Sequence, residues 1–472
     1  MSRLVDWLDR RTGLQHLLRE ALGEAIPGGA RLAYVFGSGL LLVFLSQVIT
    51  GVFLALYYVP SADHAHVTVA YMVKEVASGS FLRSLHAYGS SAMIIVVLLH
   101  VAQTLIYGSY KGAREILWMA GCVLFALVLG MAFTGYLLPW DQKAYFATAV
   151  GTNILGEVPL IGEWLQRLVR GGADMGTLTV SRFFVAHVFL IPGAIFAFVG
   201  LHVFLFRKAG PAGPPSVEAG RQRTELFYPR QLLMDVGFAV TIIVCLGAIA
   251  WMWPAELGPE ANPADTRFLP RPEWYYVPVF QWLKYWKGSS AVVGIVIIPA
   301  IVAVFFVGLP FFDRSPERAP SKRPVTVGAF VAVLLSLALL GVLSVVEDRR
   351  DPAIAEQLAA QREVDRQFTA EPFEPEESPA SLKTAKAALA DPATARGKAI
   401  YEAQSCDACH GDAGQGTPGA SALIGLAAKY PADELQRVLK IPTQEMTDGG
   451  MMPVDISDDD LRVLVAYVNA LR

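Results

Sequence analysis

Long apolar stretches separated by short polar loops dominate the chain up to residue 346. A helix needs about 20 apolar residues to cross the hydrocarbon of a bilayer. Seven stretches reach that length and predict transmembrane helices: Leu32 to Val59, Leu85 to Tyr107, Ile116 to Leu138, Phe183 to Phe206, Leu232 to Trp253, Val292 to Phe312 and Val327 to Val346. Residues 347–390 are charged, rich in Ala, Glu and Pro, and without an apolar face, which predicts a partly helical linker. Residues 391–472 have the length of a small domain.

The composition agrees with a protein embedded in membrane lipid. With 54% hydrophobic and 17% charged residues, the 472-residue chain is too apolar for an ordinary soluble enzyme. Its net charge of -3 gives no indication of a nucleic-acid partner, and we expect none.

Lysine and arginine residues predict the orientation, because they accumulate in cytoplasmic loops. They are frequent before the first span and in the loops after the second, fourth and sixth spans; the loop after the fifth span also carries several, namely Arg267, Arg271, Lys284 and Lys287. Seven crossings from a cytoplasmic start place the carboxyl-terminal domain on the outer, periplasmic side. The second and fourth spans then run parallel.

Two of the predicted spans each carry two histidines. An ionisable side chain inside a membrane is costly without a partner, so it indicates a functional site. The 14-residue interval from His86 to His100 gives a rise of about 21 Å and a rotation of about 40°. The 15-residue interval from His187 to His202 gives a similar rise and a rotation of about 60°. This pattern predicts two haems at two depths, each with one histidine from each helix.

Parallel helices decide which histidines pair. We expect His86 with His187 at an outer haem, and His100 with His202 at an inner haem.

Glycines repeat the interval of the second-span histidines on the neighbouring spans. Gly37 and Gly51 lie 14 residues apart on the first span, and Gly121 and Gly135 lie 14 apart on the third. A residue without a side chain lets a haem edge approach the backbone. Glycine is also frequent where membrane helices pack on each other, and that alternative explains either pair taken alone.

The carboxyl-terminal domain contains a C-x-x-C-H motif at residues 406–410. Cys406 and Cys409 are predicted to form thioethers with a haem, and His410 to bind its iron. A structural zinc site would need two further ligands, and the other cysteines, Cys122 and Cys245, lie in predicted spans.

The sixth ligand of that iron is expected late in the domain. The run 450–453 is Gly-Met-Met-Pro. Its Met-Pro pair resembles that of class I cytochromes c, and this resemblance favours Met452 as the ligand, with Met451 as the alternative. Met446 is a weaker candidate. Ser457, followed by three aspartates, predicts the N-cap of the last helix.

Two further motifs complete a resemblance to a known family. Residues 138–142 are Leu-Pro-Trp-Asp-Gln, and residues 272–275 are Pro-Glu-Trp-Tyr. With the histidine spacing, residues 1–210 resemble cytochrome b6 and residues 211–346 resemble its partner subunit IV, joined in one chain of the bc1/b6f cytochrome b family. Residues 391–472 resemble a class I cytochrome c.

The resemblance implies an all-α fold: a seven-span transmembrane bundle that binds two non-covalent b haems, followed by a small all-α cytochrome c domain with one covalent haem. In class I cytochromes c a glycine on the first helix, here Gly397, packs against the last helix. Val35 stands where cytochrome b6 has a haem-binding cysteine, so a covalent extra haem is not expected.

The resemblance also implies site residues. Glu273 and Tyr275 correspond to the outer, quinol-oxidising site, where a carboxylate can accept a proton from quinol. Arg83 is expected to pair with a haem propionate, or alternatively to be a cation that snorkels to the interface. Arg207 and Asp235 resemble groups of the inner quinone site, although ordinary charged helix ends explain them nearly as well.

The implied function is that of a cytochrome b/c subunit of a quinol:cytochrome c oxidoreductase in a prokaryotic inner membrane. Its expected partners are a separate Rieske iron–sulfur protein, the quinone pool, a downstream cytochrome or oxidase, and a second copy in a homodimeric complex. The alternative is a diheme membrane anchor that connects a dehydrogenase to quinone without bifurcation. A haem-based redox sensor would need an output domain.

Overall fold

The computed structural model describes residues 2–215, 224–265 and 267–373, then 392–411, 414, 416, 422–424, 426, 430–448 and 451–471. The described chain is almost entirely helical, with one two-stranded sheet. It forms two compact units, Met1–Phe373 and Glu374–Arg472. The predicted all-α fold class is confirmed.

The helices of the first unit are numbered along the chain. Those of the first half are α1 Ser2–Thr12, α2 Leu14–Leu22, α3 Val35–Ala55, α4 Ala65–Lys74, α5 Gly79–Tyr107, α6 Glu115–Tyr136, α7 Gln142–Gly156, α8 Gly162–Arg170, α9 Thr177–Val185 and α10 Ile191–Ala209. Those of the second half are α11 Arg230–Met252, α12 Val277–Leu283, α13 Ile298–Val307, α14 Leu309–Phe312, α15 Pro324–Arg350 and α16 Pro352–Ala370. Strands β1 Ala25–Pro27 and β2 Thr224–Leu226 pair antiparallel.

Six helical segments of the described chain are long and apolar enough to cross a membrane. They are Leu32–Ala55, Gly79–Tyr107, Glu115–Tyr136, Thr177–Ala209, Arg230–Met252 and Pro324–Arg350. Each overlaps one of the seven predicted spans. The protein is therefore built as a membrane-integral bundle.

The remaining predicted span, Val292 to Phe312, is not one continuous helix. A π-helical turn, Val293–Ile297, precedes α13, and α14 follows after Gly308. Pro299 has no amide hydrogen for the carbonyl four residues earlier, and this disturbs the regular ladder where the π-turn occurs. The apolar part is the shorter helical stretch Val293–Val307.

The first four spans form a bundle in which α3 packs along α5 and α6 packs along α10. Their buried core includes Phe44, Met93 and Val128. Met93 lies midway between His86 and His100 on α5, seven residues from each. Phe44 lies midway between the two predicted glycines of α3, and Val128 lies midway between those of α6. An apolar layer thus separates two levels of the bundle, and those levels are the ones predicted to hold haems.

A buried polar cluster joins the loop after α5 to the chain between α14 and α15. The Lys111 ammonium donates to Asp313 Oδ1 at 2.5 Å, and the Tyr110 hydroxyl donates to Asp313 Oδ2. The Arg323 guanidinium donates to the Tyr110 hydroxyl at 2.9 Å and is only 3% exposed. Burial alone would raise the pKa of Asp313, but hydrogen bonds from Lys111, Tyr110 and Thr326 outweigh it and lower that pKa.

The segment predicted as a linker begins as part of the first unit. After the last span, α16 lies against the unit, and Phe368 and Phe373 pack with the buried residues Val69, Ala70 and Leu257. These two aromatic side chains provide the apolar contacts that the composition of 347–390 did not reveal. Residues 374–391 of the predicted linker lie outside the described residues.

The second unit contains the helices Pro392–Ala403, Cys406–His410, Ala432–Lys440, Gln444–Asp448 and Asp458–Ala470. A β-carbon on Gly397 would lie 2.5 Å from Cβ of Tyr467, so only glycine permits this approach of the first and last helices. The Ser457 hydroxyl accepts a hydrogen bond from the Asp460 amide at 3.2 Å, which confirms the predicted N-cap.

The buried cluster around Asp313 makes a stability prediction. Asp313→Asn leaves the Lys111 and Arg323 charges buried without their anionic partner, which we expect to destabilise the protein by about 3 kcal/mol. Thermal unfolding in detergent, followed by circular dichroism, measures the change. Glu163→Gln is the control, since the exposed pair of Glu163 with Arg167 contributes little. Equal melting temperatures for both variants would contradict the prediction.

Candidate functional site

The four predicted histidine ligands lie inside the first bundle, in two facing pairs. The ring centroids of His86 and His187 are 6.1 Å apart, and those of His100 and His202 are 6.4 Å apart. We call these the outer pair and the inner pair, after the predicted orientation. The structure thus brings together the histidines that parallel helices were expected to pair.

A π-helical turn sets the phase of the second histidine helix. His187 lies in the turn Ala186–Leu190, and Pro192 follows two residues after the turn. A π-turn inserts one residue, so the 15 residues from His187 to His202 advance the helix by about as much as 14 regular residues. The predicted rotation of about 60° is therefore corrected to about 40°, as for the other pair. Pro192, which cannot donate to the carbonyl four residues earlier, was the sequence signal for this turn.

The imidazole contacts fit a bis-histidine haem. Nδ1 of His86 lies 2.9 Å from the Thr50 hydroxyl, and Nδ1 of His187 lies 3.1 Å from the carbonyl oxygen of Met131. With Nδ1 engaged, Nε2 is the nitrogen available to a metal. Two metal–nitrogen bonds of about 2 Å across an iron put the ring centroids about 6 Å apart, which matches both pairs. The outer pair therefore fits such a haem by its Nδ1 contacts and its centroid distance, and the inner pair fits one by its centroid distance.

The four predicted glycines each lie against one of these imidazoles. A β-carbon on Gly51 would lie 3.2 Å from Cε1 of His86, and one on Gly121 would lie 3.2 Å from Cε1 of His202. The corresponding distance from Gly37 to His100 is 3.8 Å, and a β-carbon on Gly135 would clash with the His187 ring. The glycines therefore make room for the histidine rings themselves, a function that the repeated interval alone did not identify.

Arg83, one turn before His86, is engaged by a loop. Its guanidinium donates to the carbonyl oxygens of Ala255 and Glu256 at 2.8 and 3.1 Å. These contacts fix the chain after α11 against the end of α5. The predicted pairing of Arg83 with a haem propionate stays a prediction.

The two loops with family motifs lie together beyond the outer pair. The Asp141 side chain caps α7 by accepting a hydrogen bond from the Ala144 amide at 2.8 Å. The backbone of Asp141 forms an isolated antiparallel β-bridge with Glu260 in the loop after α11. Gln142 adds to this contact, since its Oε1 accepts from the Asn262 amide at 2.6 Å. Hydrogen bonds thus join the loop after α6, which carries one motif, to the loop after α11, which carries the other.

Glu273 lies at the same edge and is about one-third exposed. Its carboxylate lies 3.8 Å from Nζ of Lys143, with side-chain exposures of 36% and 46%. Sequence reasoning missed Lys143, which follows the Leu-Pro-Trp-Asp-Gln motif directly. The pair gives a carboxylate that is close to a cation and open to water.

Tyrosines surround Glu273. Burial and the Glu273 carboxylate raise the pKa of Tyr275, and burial raises the pKa of Tyr276 to about 12, so both phenols stay protonated near neutral pH. The Tyr276 hydroxyl donates to the Leu129 carbonyl at 2.7 Å. Among the described residues, the buried hydroxyl of Tyr136 has no hydrogen-bond partner, and sequence reasoning did not single it out.

The predicted inner-site residues lie near the other end of the bundle. Arg207 forms an ion pair with Glu24, and Asp235 accepts a hydrogen bond from Gln231 at 2.8 Å. Val35 is buried, with 2% exposure. These contacts are compatible with charged helix ends, so a quinone-binding role stays a prediction.

In the second unit, Cys406, Cys409 and His410 lie on one short helix. Of the two candidate methionines, Met451 packs against the domain core, whereas Met452 is 79% exposed. Met452 is therefore the side chain not committed to core packing. Gly450 lies outside the described residues.

Models of three protein families match the chain. "Cytochrome b/b6/petB" matches residues 22–210, "Cytochrome b(C-terminal)/b6/petD" matches residues 260–361, and "Cytochrome c" matches residues 394–472. The matched regions contain the histidine pairs, Glu273 and the C-x-x-C-H motif respectively.

Known proteins are similar over most of the chain. Cytochrome b of Rickettsia conorii is 33% identical over 349 residues, which is 72% of this chain and 86% of that protein. Cytochrome b/c1 of Bradyrhizobium diazoefficiens is 35% identical over 350 residues, 71% of this chain and 50% of that protein. A solved structure, "Hyperthermophilic respiratory Complex III", aligns with a TM-score of 0.66 and 27% identity, covering 78% of this chain and 98% of that one.

Close glycine–imidazole contact predicts a selective loss of one haem. Gly135→Ala would push a methyl group into the His187 ring, so we expect loss of the outer b haem with the inner one retained. Gly130→Ala on the same helix is the matched control, since its β-carbon would meet Ile191 at an ordinary 3.9 Å. Redox difference spectra count the haems. Two intact b haems in Gly135→Ala would show that the ring has another position.

The two methionines of the second unit predict different defects. Met452→Ala should remove the methionine-to-iron charge-transfer band and lower the haem c potential, because a thioether ligand raises the potential. Met451→Ala should keep that band and lower the melting temperature of the domain, because it loses core packing. The reverse pattern would identify Met451 as the ligand.

Proposed function

Since this chain belongs to the cytochrome b/b6 family, we propose that it oxidises quinol in a bifurcated reaction. It is a membrane-integral cytochrome b/c subunit of a bc complex similar to respiratory complex III, with haem-binding domains of the b and c types. One electron of each quinol would leave to a separate Rieske iron–sulfur protein and continue to the cytochrome c domain. The other would cross the membrane and reduce quinone.

The observation that carries the proposal is the facing of two imidazole pairs at two depths of one bundle, with centroid separations of 6.1 and 6.4 Å. We assign His86 and His187 to an outer non-covalent b haem, and His100 and His202 to an inner one. Haems bound there supply one-electron redox chemistry. The role of the chain is to fix the imidazole pairs, and the glycines of α3 and α6 permit their positions.

The covalent c haem is assigned to Cys406 and Cys409, with His410 and Met452 as its iron ligands. We keep the division into residues 1–210, 211–346, 347–390 and 391–472 as functional regions. A covalent tether holds a redox domain at high effective concentration near the Rieske protein without a new contact.

Glu273 is assigned the role of proton acceptor for quinol, with Tyr275 beside it. A carboxylate within hydrogen-bond reach of a quinol hydroxyl can take one of the two protons released, and Glu273 is open enough to pass it to water. Lys143 places a cation 3.8 Å from this carboxylate. A protonated Tyr275 can donate to a quinone oxygen, because burial and Glu273 raise its pKa.

The remaining assignments concern location and assembly. Arg207 and Asp235 are proposed for the inner quinone site, and Arg83 for contact with an outer haem propionate. We propose that the complex is homodimeric in a prokaryotic inner membrane, with the cytochrome c domain on the periplasmic side. Its electron acceptor would be a cytochrome or an oxidase.

A diheme anchor for a dehydrogenase is the competing function. Such an anchor needs the imidazole pairs but neither the carboxylate at residue 273 nor an attached c haem. The interlocked loops around Asp141 and the ion pair of Glu273 with Lys143 favour quinol oxidation, because they build a specific proton-accepting edge.

Replacing the carboxylate tests the proposal. Glu273→Gln cannot accept a proton, so we expect the quinol-driven reduction of the b haems to slow by roughly tenfold to a hundredfold, with all haem spectra intact. Stopped-flow absorbance on the purified complex measures the rate. The control Glu163→Gln makes the same chemical change on exposed α8 and should leave the rate unchanged. A normal rate in Glu273→Gln across a range of pH would remove the proposed role and favour the anchor.

A further inference from the structure

The helix after the last span, α16, is held in register against the loop after α11. The Thr369 hydroxyl accepts from the Leu257 amide at 2.8 Å and donates to the Leu257 carbonyl at 3.0 Å. Gln361 makes the same two contacts with the backbone of Leu269, at 3.2 and 3.3 Å. The family match of the second half ends at residue 361, so the last turns of α16 lie beyond it. Nothing in the proposed function uses them.

These contacts place the side chain of Asp365 on α16 against Gly258, a residue that also contacts Asp141 of the Leu-Pro-Trp-Asp-Gln motif. A β-carbon on Gly258 would lie 2.5 Å from Oδ1 of Asp365 and 3.7 Å from Cβ of Asp141. The Gly258 amide donates to Asp141 Oδ2 at 3.4 Å, and Nε2 of His66 lies 2.8 Å from the Gly258 carbonyl oxygen. Two carboxylates and an imidazole therefore surround the single residue Gly258.

The same edge contains the proposed quinol carboxylate. Lys143 lies 3.8 Å from Glu273 and within electrostatic range of Asp365. The buried Tyr136 hydroxyl, which has no hydrogen-bond partner in the described structure, lies within electrostatic range of Glu273, Asp141 and Asp365. Titratable groups thus extend from Glu273 to α16 without leaving this edge.

We propose that Asp365 is a proton-relay residue for quinol oxidation, which receives protons from Glu273 through water beside Lys143 and passes them to the outer solvent. The proposal rests on the proposed role of Glu273. Asp365 acts through Glu273 and is not placed in contact with quinol, so it is a positioning residue and not a catalytic one.

The local charges suit this role. Burial is the largest cause that raises the pKa of Asp365, to about 6, and the Asp141 charge adds to it, while the Lys143 ammonium opposes both. The charged or titratable groups that surround Asp365 are Tyr136 at the end of α6, Asp141 and Lys143 at the start of α7, His66 on α4, Glu256 in the loop after α11, and Arg366, which pairs with Glu256. Burial lowers the pKa of His66, so this imidazole stays neutral near pH 7 and adds no positive charge.

The proton balance is simple. Quinol loses two electrons to the proposed acceptors and releases two protons, one to water on the outer side and the other to the Glu273 carboxylate. That proton passes through water to the Asp365 carboxylate, and then to bulk water, so both carboxylates return to the ionised form. A relay group with a pKa near the ambient pH both accepts and releases a proton readily.

The pH dependence of quinol-driven b-haem reduction in the complete complex tests the relay. Asp365 accepts protons only when ionised, so its benefit should be present above pH 6 and lost below it. We expect the ratio of wild-type to Asp365→Asn rates to rise from about 1 at low pH to on the order of threefold to tenfold at pH 7.5, with unchanged haem spectra. Glu356→Gln, an exposed change on the same helix and away from Asp365, is the control. A ratio that stays at 1 across the range overturns the relay.

Asp365→Glu keeps a titratable group and should restore most of the rate. If Asp365→Asn fails to assemble, the pH profile of b-haem reduction in Asp365→Glu decides. An inflection at a different pH from the wild type supports the relay, and an inflection at the same pH overturns it. Glu273→Gln separates the two proposals. Slowing by Glu273→Gln without any effect of Asp365→Asn rejects the relay alone, whereas no effect of Glu273→Gln rejects the proposed quinol chemistry and the relay with it.

Discussion

The structure depends on the constraint that imidazoles buried in an apolar bundle must meet in pairs. Each pair needs one ring from α5 and one from the span Thr177–Ala209, at centroid distances of 6.1 and 6.4 Å. This requirement restricts the residues on the neighbouring helices. Glycines on α3 and α6 leave room for the imidazole rings, and buried apolar residues pack between the two imidazole pairs. Because a ring without a partner would be costly in this environment, the spacing on all four helices is set together.

Polar contacts hold the two halves of the membrane unit at its ends, where buried charge can be satisfied. At one end Lys111, Asp313 and Arg323 form a buried cluster, and at the other Asp141 joins α7 to the loop after α11. The middle of the bundle is apolar. This arrangement follows from solvation, since charges are cheapest to bury where backbone groups and loops supply partners.

The outer edge combines fixed and titratable groups. The side-chain oxygens of Asp141 and Gln142 accept hydrogen bonds from backbone amides and fix the loop around Gly258. Helix α16 adds Asp365 to that loop through the paired contacts of Thr369 with Leu257. A segment beyond the family match, which ends at residue 361, thereby contributes charge beside the motif loops. A helix that follows the last span can thus place a charged side chain beside the loops on which it packs.

Periodicity and local motifs were enough to predict the all-α class, six of the spans, the pairing of His86 with His187 and of His100 with His202, and the cap at Ser457. These features follow from rise per residue, parallel direction and side-chain chemistry, which the chain carries locally. The haem and quinol roles that the sequence suggested remain proposals, because they depend on bound groups and partners.

Tertiary structure decided the rest. The π-turn at His187, the break in the sixth predicted span and the packing of α16 arise where a proline or a neighbouring surface overrides the regular helix pattern. Lys143 and Asp365 became visible only when distant segments met, since an isolated charge in a loop looks like any solvated residue. Sequence spacing determines what one helix presents, but contacts between segments determine which groups act together.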